Sequence, residues 1–238
     1  MRVLALDAAT EACSVALLTE DGTFVRGSVE GRGHAEDMLE MVDAVLAEAG
    51  VALSGLDGIA ASVGPGAFTG VRISVSMAQG LAFGAGLPVV GITTLEALAL
   101  KGLERRARLP GGARRALACL DARMGEVYWG CFAADSLQGL RACGALQVGP
   151  AAQVRLPGPQ RYRGIGRGFA AYPELAALPG VELEARDAGA LPDARETARL
   201  GAIRLAAGQG MDPADLQPRY LRDKVASTEA ERAAAARR

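Results

Sequence analysis

Few side chains in this 238-residue chain are equipped for chemistry. Its single histidine, His34, stands just before an amphipathic stretch. Nucleophilic catalysis needs an imidazole or comparable base beside a hydroxyl or thiol. No partnered nucleophile accompanies His34, so it reads as a helix-start or interface residue. HExxH, paired histidines and Cys-His clusters are all missing, which speaks against a zinc or iron site built by this chain alone. No catalytic residue, metal ligand or cofactor is assigned.

The glycine-rich stretch GPGAFTGVRIS, Gly64 to Ser74, raises the question of phosphate binding. A Walker loop requires GxxxxGK followed by Ser or Thr. Here Gly70 precedes Val71 and Arg72, and the lysine is absent. A second phosphate-binding design sets two aspartate-bearing hairpins across a cleft; DAAT at Asp7 to Thr10 and DARMG at Asp121 to Gly125 stand where these would be. Such hairpins expose turn amides, commonly through glycine. Ala8 and Ala9 occupy those positions, and Glu11 adds a negative charge where a triphosphate would lie. At about 4 Å that charge would cost ~1–4 kcal/mol. Asp7, Thr10, Gly64, Gly66 and Asp121 are therefore expected to form degenerate phosphate loops. The favoured reading of the Gly64 stretch is a strand-to-helix connection, with Pro65 and Gly66 setting the turn and Thr69 capping the helix.

The elements that would position these residues follow from periodicity. VLAL, CSVALL and TFVRGSV read as strands, the last two as a hairpin. Met38, Leu39, Val42, Val45, Leu46 and Ala49 recur at three-and-four spacing before Gly50, which predicts a helix over His34 to Ala49. LDGIAASV is a strand, a helix is expected from about Thr69 to Phe83, and LPVVGI is a further strand. TTLE at Thr93 to Glu96 fits a capping box. Lys101 to Arg115, with six basic residues and one acid, reads as a solvated linker. Beyond it, Leu120-Asp121-Ala122 echoes Leu6-Asp7-Ala8, each followed by a second strand, which suggests two related halves. The second half shows strands near Ala145 to Val148 and Tyr162 to Gly166, and helices near Phe169 to Leu178 and Pro192 to Gly208; its last residues read as a fraying tail.

Ser76, Gly80 and Gly84 fall at i, i+4 and i+8 on the second helix. Glycine in a helix interior costs about 1 kcal/mol against alanine, so two of them call for a reason. Close approach of another helix supplies one, either within the subunit or from a partner.

Half of the residues are apolar, enough for one large core or two modest ones. The net charge of −1 argues against a chain that wraps nucleic acid by itself, so any RNA contact should be local or shared with a partner. Basic residues are almost all arginine, with lysine only at Lys101 and Lys224. Cys13, Cys119, Cys131 and Cys143 form no CxxC pair and read as buried thiols in a reducing compartment. No apolar run is long enough for a signal or membrane span, and a cytoplasmic protein is expected.

The ordered set LALDAATEACSVALL, GPGAFTGVRIS with AQGLAFGAGLPVVGITTLEAL, LDARMGEVYWG and PRYLRDKVA closely resembles the bacterial TsaB family of tRNA threonylcarbamoyladenosine biosynthesis proteins. The similarity runs from Met1 to about Ala226, densest before Ala133 and weak between Leu137 and Gly210. It implies an α/β fold of two related actin-like (ribonuclease H-like) subdomains with mixed sheets flanked by helices: residues 1–106, residues 107–212, and a segment 213–238 returning to the first subdomain. It also implies a non-catalytic subunit that pairs with TsaD, with TsaE joining in an ATP-dependent complex. That assembly moves a threonylcarbamoyl group to adenosine 37 of tRNAs reading codons that start with A. In that family the heterodimer is built by two N-terminal helices, mapping onto His34 to Ala49 and Thr69 to Phe83 here. The expected contacts are His34, Met38, Met41, Val45, Thr69, Arg72, Ser76, Gly80 and Gly84, with a homodimer through the same helices when the chain is alone. An independent ATPase or kinase using its own cleft is the competing reading.

Overall fold

The computed structural model describes residues 1–29, 34–106, 114–135 and 139–222. Strands β1 (Val3–Asp7), β2 (Cys13–Leu18), β3 (Thr23–Ser28), β4 (Gly58–Ser62) and β5 (Val89–Ile92) form a mixed sheet in the order β3-β2-β1-β4-β5. β1 lies antiparallel to β2 and parallel to β4. Every residue of β1 is buried, as expected for a strand covered on both faces, and its unbroken VLAL run matches that position.

β6 (Arg115–Arg123), β7 (Glu126–Asp135), β8 (Gly139–Ala142), β9 (Gln147–Pro150), β10 (Tyr162–Ile165) and β11 (Val181–Leu183) form the second sheet. Its order is β11-β10-β6-β7-β8, with β9 also paired to β7. The two orders superimpose: a central strand, an antiparallel hairpin on one side and two parallel strands on the other. Asp7 ends β1 and Asp121 lies near the end of β6, so the short echo in sequence marks a true structural repeat.

Helices α1 (His34–Ala49) and α2 (Phe68–Ala85) lie side by side on one face of the first sheet. Met38, Val42 and Val45 of α1 and Val75, Ala78 and Ala82 of α2 bury there against Leu4, Leu6, Val15, Leu17 and Ile59. α3 (Thr94–Arg106) covers the second sheet, short turns α4 (Gly168–Ala171) and α5 (Ala185–Ala188) lie beyond it, and α6 (Ala194–Ala206) covers the other face of the first sheet. Helices α3 and α6 thus cross over: α3 from the first half of the chain serves the second sheet, and α6 from the second half serves the first. Arg204 of α6 pairs with Glu96 of α3 at 2.5 Å, and Lys101 Nζ of α3 donates to Leu191 O, just before α6, at 2.9 Å. A division at residues 106 and 212 does not follow this packing.

Local signals explain most boundaries. Thr93 and Glu96 form the capping box, with Thr93 N donating to Glu96 Oε2 at 2.9 Å and Glu96 N to Thr93 Oγ1 at 3.2 Å. Gly50 adopts φ 63 after α1, the left-handed stop that glycine tolerates. The expected helix from Phe169 to Leu178 is instead α4 followed by a 3-10 turn over Pro173–Ala177, because Pro173 has no N–H to continue the ladder. Lys101 to Arg106 belong to α3; the rest of the expected linker, 107–113, and the tail, 223–238, lie outside the described residues.

Thr69 does not cap α2. The N-cap is Ala67, with no side-chain hydrogen bond, and its amide donates to Ala9 O at 2.7 Å. The turn is held by backbone contact with the β1–β2 connection, and two glycines make that contact possible. A Cβ on Gly66 would overlap the carbonyl of Ala9, and one on Gly70 the carbonyl of Ala8. Among the described residues, a Cβ on Gly80 or Gly84 would meet nothing within 4 Å.

Gly70→Ala should therefore destabilise by about 3 kcal/mol despite alanine's better helix propensity, because backbone cannot move aside as a side chain can. Gly80→Ala should stabilise by ~0.5–1 kcal/mol. Thermal melts of the two variants check this: the first should lose about 6–12 °C and the second gain about 1–4 °C.

Candidate functional site

A cleft of 1030 Å³ lies between the two sheets' C-terminal ends, lined by Thr10, Glu11, Gly66, Phe68, Asp121, Arg167 and Tyr220 among others. The structure brings together the residues expected to form phosphate loops and shows what they do instead. Ala8 N donates to Ser74 Oγ at 2.8 Å and Ala9 N to Asp7 Oδ1 at 3.0 Å. The amides a phosphate would need are thus already engaged. Thr10 Oγ1 accepts from Ala12 N at 3.3 Å, and Gly64 O accepts from Thr94 N at 3.0 Å. Gly66 faces the Ala9 backbone, not open space.

Asp7 is 1% exposed, buried at the end of β1. Burial, reinforced by the nearby Asp193 charge, pushes its carboxyl up to about 7 against the opposing Ala9 hydrogen bond. Glu196 on α6 is likewise pushed up to about 7, by burial first. Asp121 differs. It accepts from Arg123 N at 2.8 Å and from Tyr172 Oη at 3.4 Å, and pairs with the Arg123 guanidinium at 3.2 Å. Glu11 is ion-paired with Arg167 across the cleft, so its charge closes the two halves together. Among the described residues no group of three metal-ligating side chains occurs, and no helix is long and apolar enough to cross a membrane.

The outer face of α1 and α2 is a second candidate. Ser76, Gly80 and Gly84 are exposed, as are Thr69 and Arg72, while Ala78 and Ala82 bury on the opposite side. Phe83, beside the small ridge, is 83% exposed, and Leu39 on α1 is 48% exposed. Met38 and Val45, expected at a partner surface, are fully buried in the subunit's own core. Their three-and-four spacing with Val42 puts them on the stripe that faces the sheet, so they cannot reach a partner. Met41 is half-buried against the same core. The side chain of His34 lies outside the described residues.

Two features escaped the sequence reading. Phe83 and Leu39 sit at spacings that do not separate them from core positions. Tyr220 stacks beside Phe68, with ring centroids 5.9 Å apart, and accepts from Arg72 Nε at 2.9 Å. No local signal links residues 148 positions apart.

A family model described as TsaD, tRNA N6-adenosine threonylcarbamoyltransferase, matches residues 25–160. The chain is 37% identical over 231 residues to the tRNA threonylcarbamoyladenosine biosynthesis protein TsaB of Escherichia coli (strain K12), covering 95% of this chain and 96% of that protein. It is 34% identical over 236 residues to the protein of the same name from Haemophilus influenzae, covering 94% and 95%. The solved structure of YeaZ from Pseudomonas aeruginosa matches with a TM-score of 0.83 at 39% identity, covering 92% of this chain and 99% of that one. With similarity over nearly its whole length, and with two related α/β subdomains of actin-like type, the chain belongs to the TsaB (YeaZ) family.

Proposed function

We propose that this chain is a non-catalytic, activating subunit in tRNA threonylcarbamoyladenosine biosynthesis, docking a TsaD-type partner on the outer face of α1 and α2 while turnover takes place on the other chain. The observation that carries this reading is the exposed ridge of Ser76, Gly80 and Gly84. Two glycines in an exposed helix each forgo about 1 kcal/mol against alanine, and among the described residues no atom requires their smallness. The requirement is then met from outside, by a helix packing close over the ridge. The apolar side chains of Phe83 and Leu39 flank that contact. In the same reading TsaE joins in the presence of ATP, tRNA is held by the assembly, and the chain self-associates through this face when the partner is missing.

An independent ATPase or kinase in the cleft is the second reading, favoured by the cleft's size. It is the weaker one, because the Ala8 amide is taken by Ser74 of α2, the Ala9 amide by Asp7, and Asp7 itself is buried.

Gly80→Leu should leave the monomer folded and weaken its pairing with a TsaD-type partner by about 100-fold, read by titration of the purified proteins; undiminished affinity would remove the docking face. Depleting the chain from cells should remove threonylcarbamoyladenosine from tRNA, measured by mass spectrometry of digested nucleosides; an unchanged level would reject the pathway.

Asp7 separates the two readings by pH. Its folded-state pKa is raised from 3.8 to about 7, so the folded state binds more protons than the unfolded chain between those values, and stability falls as pH rises through that window. The full effect is on the order of 4 kcal/mol. Asp7→Asn should therefore melt several degrees above the parent at pH 8 and alongside it near pH 4, with tRNA modification intact. Loss of ATP binding in this variant would instead support the cleft reading.

A further inference from the structure

After α6 the chain returns across the molecule to the proposed docking helix. Met211 bridges to Val89, and Leu216 buries in the first core while its carbonyl accepts from Gln79 Nε2 at 3.1 Å. Arg219 N donates to Val63 O at 2.7 Å, and Arg222 pairs with Glu126 of the second sheet. Between these anchors Tyr220 is set beside the first turns of α2. The Arg72 guanidinium lies 3.7 Å from the Phe68 ring centroid, and its Nε is held by the Tyr220 hydroxyl at 2.9 Å.

That arrangement fixes a cation without neutralising it. Arg72 is exposed, and among the described residues neither of its Nη groups has an acceptor and no carboxylate lies within ion-pair reach. Phe68, Arg72, Ser76, Gly80 and Gly84 follow one another at i+4 and are all exposed. They form a single ridge of the kind along which helices interdigitate. Arginine and tyrosine are enriched where binding energy concentrates, and a guanidinium already locked by two rings loses little freedom when it binds.

We propose that Arg72 is the specificity anchor of the docking face, held by Phe68 and Tyr220 to receive an Asp or Glu carboxylate from the partner's helix, and that the segment Leu216–Arg222 is thereby part of the recognition surface. This rests on the docking reading above. A carboxylate suits the two parallel N–H donors of the guanidinium fork. A phosphate backbone is disfavoured here because tracking it takes several cations, whereas the outward residues of neighbouring α1 include Glu36, Glu40 and Asp43.

The test is the affinity of the full chain for the TsaD-type protein, measured at two salt concentrations for Arg72→Gln, Arg72→Lys, Tyr220→Phe and Gly80→Leu, with melts to show that each is folded. Arg72→Gln should weaken binding by about 10-fold or more and flatten its salt dependence. Arg72→Lys should recover only part of the loss, because the fork and the stacking are gone, and Tyr220→Phe should cost several-fold. If Arg72→Gln binds like the parent while Gly80→Leu does not, the anchor is wrong and the docking face stands. If Gly80→Leu also binds like the parent, the face fails and the anchor with it. If Arg72→Gln leaves partner affinity unchanged and weakens tRNA binding by the assembled complex, Arg72 serves RNA and the proposal is overturned.

Discussion

One backbone-on-backbone contact governs both halves of this molecule's behaviour. Gly66 and Gly70 let the start of α2 close onto the carbonyls of Ala8 and Ala9, and the Ala67 amide seals the join. In the same region, Ser74 and Asp7 engage the first hairpin's amides. A phosphate would need open amides there. What is gained is a rigid seat for α2, the helix whose outer ridge we propose as the docking face. A loop whose composition resembles a nucleotide grip is in this way turned into a structural joint.

The rest of the design separates the two faces of α2. Inward, Val75, Ala78 and Ala82 close the first core. Outward, the ridge tapers from Arg72 through Ser76 to Gly80 and Gly84. The inner face accounts for the helix being there; the outer face sacrifices intrinsic helix stability. Natural helices rarely retain such a loss unless close packing recovers it. The Glu11–Arg167 pair and the returning segment through Arg219 and Arg222 hold the two sheets together around the cleft, so the ridge is presented from a braced frame.

Much of this was readable in the sequence because the signals are local. The strands of the first sheet, the capping box at Thr93 and the glycine stop at Gly50 each depend on residues within a few positions of one another, and the repeat shows because the short stretches around Asp7 and Asp121 carry the same local pattern. The small stripe was also readable, though not its exposure, which depends on how α2 lies on the sheet. Assigning Met38 and Val45 to a partner face conflicted with their own periodicity, since the apolar stripe of a surface helix faces the core. The crossing of α3 and α6, and the Tyr220 contact with Arg72, join distant parts of the chain and leave no local trace. Thr69 misled as a cap because the turn is satisfied by the Ala9 carbonyl, a tertiary contact that replaces a side-chain one.

Hydrogen exchange of the full chain, with and without a TsaD-type partner, tests the central claim most directly. Docking on the ridge predicts slowed amide exchange concentrated along residues 68–85, with the adjoining turns of α1 following. Protection confined to the cleft around residues 8–12 and 121–125, with α2 unchanged, would contradict it.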